Sequence, residues 1–176
     1  QWCIEGGRRA IFASFGLGKT IMQLEIAKQV ISITNKPFII CMPLGVVGEF
    51  RDDNKLLNTG FEIKYITDTD TVDVLENCIY VTNYERVRKG DIDPLKFGGV
   101  SFDEASILRN LKTETTNYVL KHFATINYRF TATATPTPND FIEILNYADF
   151  LGVIDRGHAL TRFFQRDSTK AGNLKL

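Results

Sequence analysis

The chain has 176 residues, is 44% hydrophobic and 24% charged, and balances 21 Lys and Arg against 21 Asp and Glu. That is the composition of one globular domain (1–176) with one sizeable core. It excludes a nucleic-acid binder that works through bulk positive charge, although a local basic strip stays open, and no apolar run approaches the roughly twenty residues of a membrane span.

In chain order, "QWCIEGG" reads as the end of a helix that starts earlier. These first residues lack the basic-then-apolar order of a signal peptide, so a cytoplasmic protein is expected. "RRAIFAS" (8–14) reads as a buried strand. "KTIMQLEIAKQVISI" sets Ile21, Leu24, Ile26, Ala27, Val30 and Ile31 on a broad helical stripe. "KPFIICMP" is a buried strand punctuated by Pro37 and Pro43. "LGVVGEFRDDNKLL" predicts a short helix, "FEIKYIT" an alternating strand, and "NCIYVTNYE" a strand running into a turn. "FGGVSFDEAS" predicts a strand ending in acids, "TETTNYVLKHFA" a helix and "YRFTATAT" a strand. "PNDFIEILNYADFLG" predicts a helix started by Pro138 and Asn139 and stopped near Gly152; "GHALTRFFQR" predicts a last helix before a polar tail that looks cut. Strand and helix patterns alternate, and the strands are continuously apolar. This is the pattern of a mostly parallel sheet with helices on both faces.

Cys3, Cys41 and Cys78 form no CxxC pair, and the last two sit in apolar runs, so buried reduced thiols are expected. With only two histidines, a zinc site has little to build on.

The loop Ala13-Ser-Phe-Gly16-Leu17-Gly18-Lys19-Thr20 fits G-x-x-x-x-G-K-[ST] with Ala13 in place of the first glycine. Backbone N–H groups can turn inward around an anion only where side chains are absent, as at Gly16 and Gly18. The helix starting there adds its positive end. Lys19 would reach the β- and γ-phosphates, the Thr20 hydroxyl would hold Mg²⁺, and Leu17 and Ile21 complete the nucleotide-binding run. The plain alternative is a glycine turn before an amphipathic helix.

Asp103 and Glu104 close the strand of "GGVSFDEAS". If that strand neighbours the first, its carboxyl end lies beside the phosphates. Asp103 would then hold the metal through water, and Glu104 would orient and deprotonate the attacking water. An ordinary polar strand end is the alternative. In "YRFTATATPTPND", Thr133 and Thr135 could bring hydroxyls near the acids, although threonine and proline also suit a strand and its exit.

"FGLGKT", "FDEAS" and "TATPTPN", in this order and spacing, resemble motifs I, II and III of superfamily-two helicases and translocases, with the Swi/Snf-like branch nearest. "CMPLGVVGEF" resembles motif Ia and "VTNYERV" the segment that follows it, and the whole chain is similar to helicase-like proteins carried by phages and prophages. The resemblance implies a three-layer RecA-like P-loop NTPase fold, ATP and Mg²⁺ as cofactors, nucleic acid (double-stranded DNA foremost) as partner, and catalytic roles for Lys19, Asp103 and Glu104. It implies coupling through Thr133 and Thr135, and a second RecA-like lobe carrying an arginine finger. This chain then corresponds to the N-terminal lobe only, poorly active by itself. Ala13 and Ser14 depart from the branch's Asp-Glu. Ser106 stands where it often has His, which implies altered coupling to the third motif. Trp2 resembles a family tryptophan, which sets the adenine-reading glutamine before residue 1 rather than at Gln1.

By the same resemblance, Gly45 and Val46, Asn83 and Arg86, and Arg109 and Asn110 are candidates for strand-phosphate contacts, with Arg86, Arg88 and Lys89 as a basic cluster; solvated loops are the alternative. Phe123, Phe141, Phe150, Phe163 and Phe164 read as core or lobe-interface residues, the last two partly exposed. Two other readings stay open: a different phosphate-transfer module, which leaves "DEAS" with "TATPTPN" unexplained, and a non-catalytic interaction domain, against which the intact Lys19, Thr20, Asp103 and Glu104 speak.

Overall fold

The structure, a computed structural model, describes residues 1–73, 78–110, 113–137, 141–166 and 174–175. A short helix, α1 (Trp2–Gly6), turns through Gly7 into β1 (Arg8–Phe12). Then come α2 (Lys19–Thr34), β2 (Phe38–Met42), α3 (Val47–Leu57), β3 (Glu62–Tyr65), β4 (Cys78–Asn83), α4 (Tyr84–Lys89), β5 (Gly99–Asp103), α5 (Glu114–His122) and β6 (Tyr128–Thr133). Helices α6 (Ile144–Phe150) and α7 (Arg156–Phe163) follow, then a two-residue pairing of β7 (Gln165–Arg166) with β8 (Leu174–Lys175).

Local chemistry sets these boundaries. Helix α2 runs uninterrupted by Gly or Pro and stops where Asn35 turns left-handed at φ 51°. The side chains of Asn83, Thr113 and Asp155 each accept a backbone N–H at the start of α4, α5 and α7. Gly90, at φ 80°, ends α4. Strand β2 is apolar and buried at every position, as a central parallel strand covered on both faces must be.

Six strands form one sheet in the order β1-β6-β5-β2-β4-β3, and every pairing in it is parallel. The expectation of a mostly parallel sheet is thus sharpened to an all-parallel one. Side chains alternate between two cores. Phe38, Ile40 and Met42 of β2 pack with Leu24, Ala27 and Val30 of α2 and Phe50 of α3. Ile39 and Cys41, with Phe102 of β5, pack with Tyr84 and Val87 of α4, Val119 of α5 and Phe150 of α6. The rings of Phe123 and Phe150 meet Phe102 edge-on at 5.6 and 5.3 Å between centroids. The layers are therefore helix, sheet, helix.

Two expectations change. The run 157–166 is helical only to Phe163. Phe164 is buried against Leu145 and Ala159 rather than partly exposed, because the chain after α7 folds back onto α6. Phe163 is exposed as expected, Phe141 is exposed as well, and Phe123 and Phe150 lie in the core. Pro138, Asn139 and Asp140, the expected helix start, lie outside the described residues; a turn at Phe141–Glu143 leads into α6.

Candidate functional site

Strand β1, which leads into the phosphate loop, and β5, which ends in the acids, are not neighbours. The sequence reading made the approach of Asp103 to the phosphate loop conditional on β1 pairing with β5, but β6 lies between them. The gap is bridged by β6 itself. The amide of Ala13, where the loop leaves β1, donates to Thr133 O at 3.3 Å. The Thr133 hydroxyl donates to Glu104 Oε1 at 3.1 Å and accepts the Thr135 amide. The last residue of β6 therefore ties the loop to the acid.

Around this bridge is a cavity of about 390 Å³, within the range of small-molecule sites. Gly16, Gly18, Lys19, Thr20 and Ile21 line it from one side and Asp103 and Glu104 from another, so residues about eighty positions apart share one space. Leu17 is exposed and does not line it. Gly16 and Gly18 have φ of 77° and 72°, a left-handed backbone suited to glycine, and a Cβ added at Gly16 would meet nothing within 4 Å. Gly18 caps α2, so the helix's unpaired N–H groups open toward the cavity. Lys19 Nζ donates to Ala13 O and Ser14 O at 3.1 and 3.2 Å and stands 5.1 Å from the Phe15 ring centre. Its ammonium is held inside the loop it serves.

Asp103 is half-buried. Burial pushes its carboxyl above the usual range; a hydrogen bond from Gln23 opposes this, Glu104 reinforces it and Lys19 opposes it. Gln23 Nε2 donates to Asp103 Oδ1 at 2.8 Å, and Tyr84, from the start of α4, donates its hydroxyl to Asp103 O. Burial, then the charges of Cys41 and both acids, raise that phenol well above its ordinary value. Glu104 sits at φ 48°, a left-handed conformation uncommon for a residue with a Cβ, which turns the chain sharply as β5 ends. The Ser106 hydroxyl donates to Glu104 O at 3.3 Å, within the same turn.

Sequence reasoning missed Gln23, Ser101, Tyr84, Glu49 and Asp53. The last two line the cavity from α3, with Pro43, Val46 and Phe50. Val46, expected at a nucleic-acid rim, also lines this cavity. Four carboxylates and one ammonium thus face it. A polyphosphate entering there needs a compensating cation, and the Thr20 hydroxyl with the Asp103 carboxylate is the oxygen donor set that magnesium takes. The residues present fit a metal–triphosphate.

The remaining predicted contacts stand apart from the cavity lining. Gly45 is open, with nothing within 4 Å of an added Cβ. Asn83 caps α4, accepting the Arg86 amide at 3.0 Å. The basic cluster is charge-balanced: Arg86 pairs with Asp91 at 3.2 Å, Arg88 with Glu114 at 3.0 Å and Lys89 with Glu85 at 2.8 Å. Asn110 is exposed, and its backbone oxygen accepts from Thr113. The Arg109 side chain lies outside the described structure. Gln1, exposed, donates to Glu5 at 2.8 Å. Among the described residues no helix is long and apolar enough to cross a membrane, and no group of three metal-ligating side chains is present.

Layering, strand order and loop define a RecA-like α/β fold of the kind found in helicase lobes. Among solved structures, the chain is similar to the Sulfolobus solfataricus SWI2/SNF2 ATPase core in complex with dsDNA, with TM-score 0.73 and 17% identity, covering 92% of this chain and 36% of that one. It is similar to the SWI2/SNF2 ATPase core domain of the same organism, with TM-score 0.71 and 18% identity, covering 92% and 35%. It is also similar to the UvsW helicase from bacteriophage T4, with TM-score 0.64 and 16% identity, covering 87% and 55%. The chain therefore spans between about a third and just over half of the length of these proteins. No protein-family model and no curated protein matches it.

Proposed function

We propose that this chain is the ATP-binding lobe of a cytoplasmic, DNA-dependent ATPase motor of the helicase or translocase type, in the phage and prophage group that its motifs resemble. The observation that carries the reading is one cavity shared by Gly16, Gly18, Lys19, Thr20, Asp103 and Glu104. The left-handed glycines and the start of α2 offer backbone N–H groups to the phosphates. Lys19 leaves the carbonyls of Ala13 and Ser14 for the β- and γ-phosphates. Thr20 and Asp103 hold magnesium, which supplies charge neutralisation on the phosphate oxygens. Glu104 orients the attacking water and takes its proton. Thr133 holds Glu104 in place and, through Thr135 and the chain beyond, reports the state of the site to a second lobe. Gly45, Asn83, Arg86, Arg109 and Asn110 form the face for one strand of double-stranded DNA.

An arginine finger accelerates related NTPases by about 10³–10⁵. In this reading a second RecA-like lobe supplies it, so the 176-residue chain binds Mg·ATP weakly and turns it over slowly. The test is a fluorescent-ATP titration of the chain with Mg²⁺, alongside Lys19→Ala and Glu104→Gln. Lys19→Ala abolishes binding; Glu104→Gln retains it and loses the residual turnover. Fast, DNA-stimulated hydrolysis by the chain alone refutes the lobe assignment. Equal binding by Lys19→Ala refutes the site.

A further inference from the structure

Gln23 is a fully buried polar residue on an otherwise apolar stripe of α2, beside Leu24, Ala27 and Val30. An amide buried there is costly unless its hydrogen bonds are made. Both of its ends are engaged. Nε2 donates to Asp103 Oδ1 at 2.8 Å, and Oε1 accepts from the Ser101 hydroxyl at 2.6 Å. The orientation is forced. An ionised carboxylate only accepts, so the NH₂ must face Asp103; the oxygen then faces Ser101, whose hydroxyl must donate. Ser101 is itself fully buried and lies two residues before Asp103 on the same face of β5. Gln23 follows Lys19 by four residues, so one face of α2 presents the ammonium to the loop and, a turn later, the amide to β5. The pair Gln23–Ser101 is a strut between the helix that begins the phosphate loop and the strand that ends in the acids.

We propose that Gln23, oriented by Ser101, is a positioning residue that fixes the Asp103 carboxylate relative to the phosphate loop and so sets the affinity of the site for metal-bound rather than bare nucleotide. This rests on the nucleotide reading of the cavity. The strut contributes through Asp103 alone. Removing it lets the carboxylate leave the orientation in which it and Thr20 serve one ion, while Gly16, Gly18 and Lys19 stay as they are.

The experiment uses the whole chain, Mn²⁺ as the metal probe read by electron paramagnetic resonance, and a fluorescent ATP analogue. The variants are Gln23→Leu, similar in volume, and Ser101→Ala, which loses only the hydroxyl that orients the amide. Affinity for the analogue in EDTA stays within about twofold in both. The Mn²⁺ concentration for half-saturation at fixed nucleotide rises about tenfold in Gln23→Leu and about threefold in Ser101→Ala, the scale expected for partners that orient a metal ligand. A Mn²⁺ requirement within twofold of the parent in either folded variant overturns the proposal. So does an equal loss with and without metal, which marks a general structural defect. If Gln23→Leu does not fold, Ser101→Ala decides alone. A parent chain without Mn²⁺-dependent nucleotide binding fells the nucleotide reading and this proposal together; a binding parent with unaffected variants fells only this one.

Discussion

Thr133 and Glu104 meet across the seam between β6 and β5: the hydroxyl accepts the amide of Thr135 and donates to Glu104 Oε1. A hydrogen bond to a charged group contributes about 1.5–3 kcal/mol, and here it also steadies a residue whose backbone is left-handed. Thr133→Val fits the buried strand but removes the donor. In the proposed ATPase reading it is expected to lower ATP turnover about tenfold, or about 1.4 kcal/mol of barrier, with nucleotide affinity changed less than twofold. Thr133→Ser keeps the hydroxyl and restores most of the rate. Steady-state ATPase measurements with a separate nucleotide titration check this; a loss confined to affinity contradicts it.

Much of this arrangement was legible in the sequence where it depends on neighbours along the chain. The glycines, lysine and threonine of the loop, the helix after it and the apolar run of β2 all declare themselves locally. Strand order did not, because it is a property of pairing across the chain: nothing in Arg8–Phe12 or Gly99–Asp103 says that β6 separates them. The pairing of the basic cluster was legible only in part: Glu85 and Asp91, the partners of Lys89 and Arg86, flank it in sequence, but Glu114, 26 residues after Arg88, pairs with Arg88 only in the fold. Gln23 did leave a signal, a polar residue on the apolar stripe of α2, but its meaning needed β5 on the page. Phe164 was misjudged because its burial depends on how the chain folds back after α7.

Asn83 carries two competing explanations that a pair of substitutions separates. Its side chain caps α4, and losing such a cap costs about 1 kcal/mol. Asn83→Ala should lower stability by that amount in urea unfolding. Asn83→Asp caps equally well, so stability is retained, but it adds a negative charge. If Asn83 also touches DNA, Asn83→Asp weakens duplex binding by the intact motor more than Asn83→Ala does. Equal DNA affinity for all three leaves capping as its whole role. The neighbouring ion pairs are largely exposed and worth at most about 1 kcal/mol each.

The three cysteines should differ in reactivity by burial. Cys41, in the middle of the central strand, is fully buried and its thiol is pushed far above the ordinary range, so the reactive thiolate is scarce at neutral pH. Cys78 is also buried. Cys3, half-buried on α1, is raised by burial, while Arg9 pulls it the other way. Native labelling with a maleimide at pH 7.5, read by mass spectrometry, should modify Cys3 first. Cys41 and Cys78 should lag by about a hundredfold or more, waiting on opening of the sheet. Equal rates at Cys3 and Cys41 would displace β2 from the centre of the fold.

Asp103 illustrates how a site of this kind trades stability for chemistry. Burial and the neighbouring Glu104 raise its carboxyl, with Gln23 and Lys19 opposing. A carboxylate whose folded value lies above its unfolded one binds more protons in the native state, so its contribution to stability falls as pH rises through the folded value. Asp103→Asn removes that penalty. The asparagine oxygen still accepts from Gln23, and the repulsion with Glu104 disappears. The variant should lose metal-dependent nucleotide binding yet melt about 2–4 °C higher at pH 7.5. The gain should shrink as pH falls through the parent's raised value, where the buried acid takes up its proton. Differential scanning calorimetry of both chains from pH 4 to 8 measures the gap. A lower melting temperature for Asp103→Asn at pH 7.5 means that Gln23 and Lys19 outweigh the burial of the charge, and the site then costs the fold nothing.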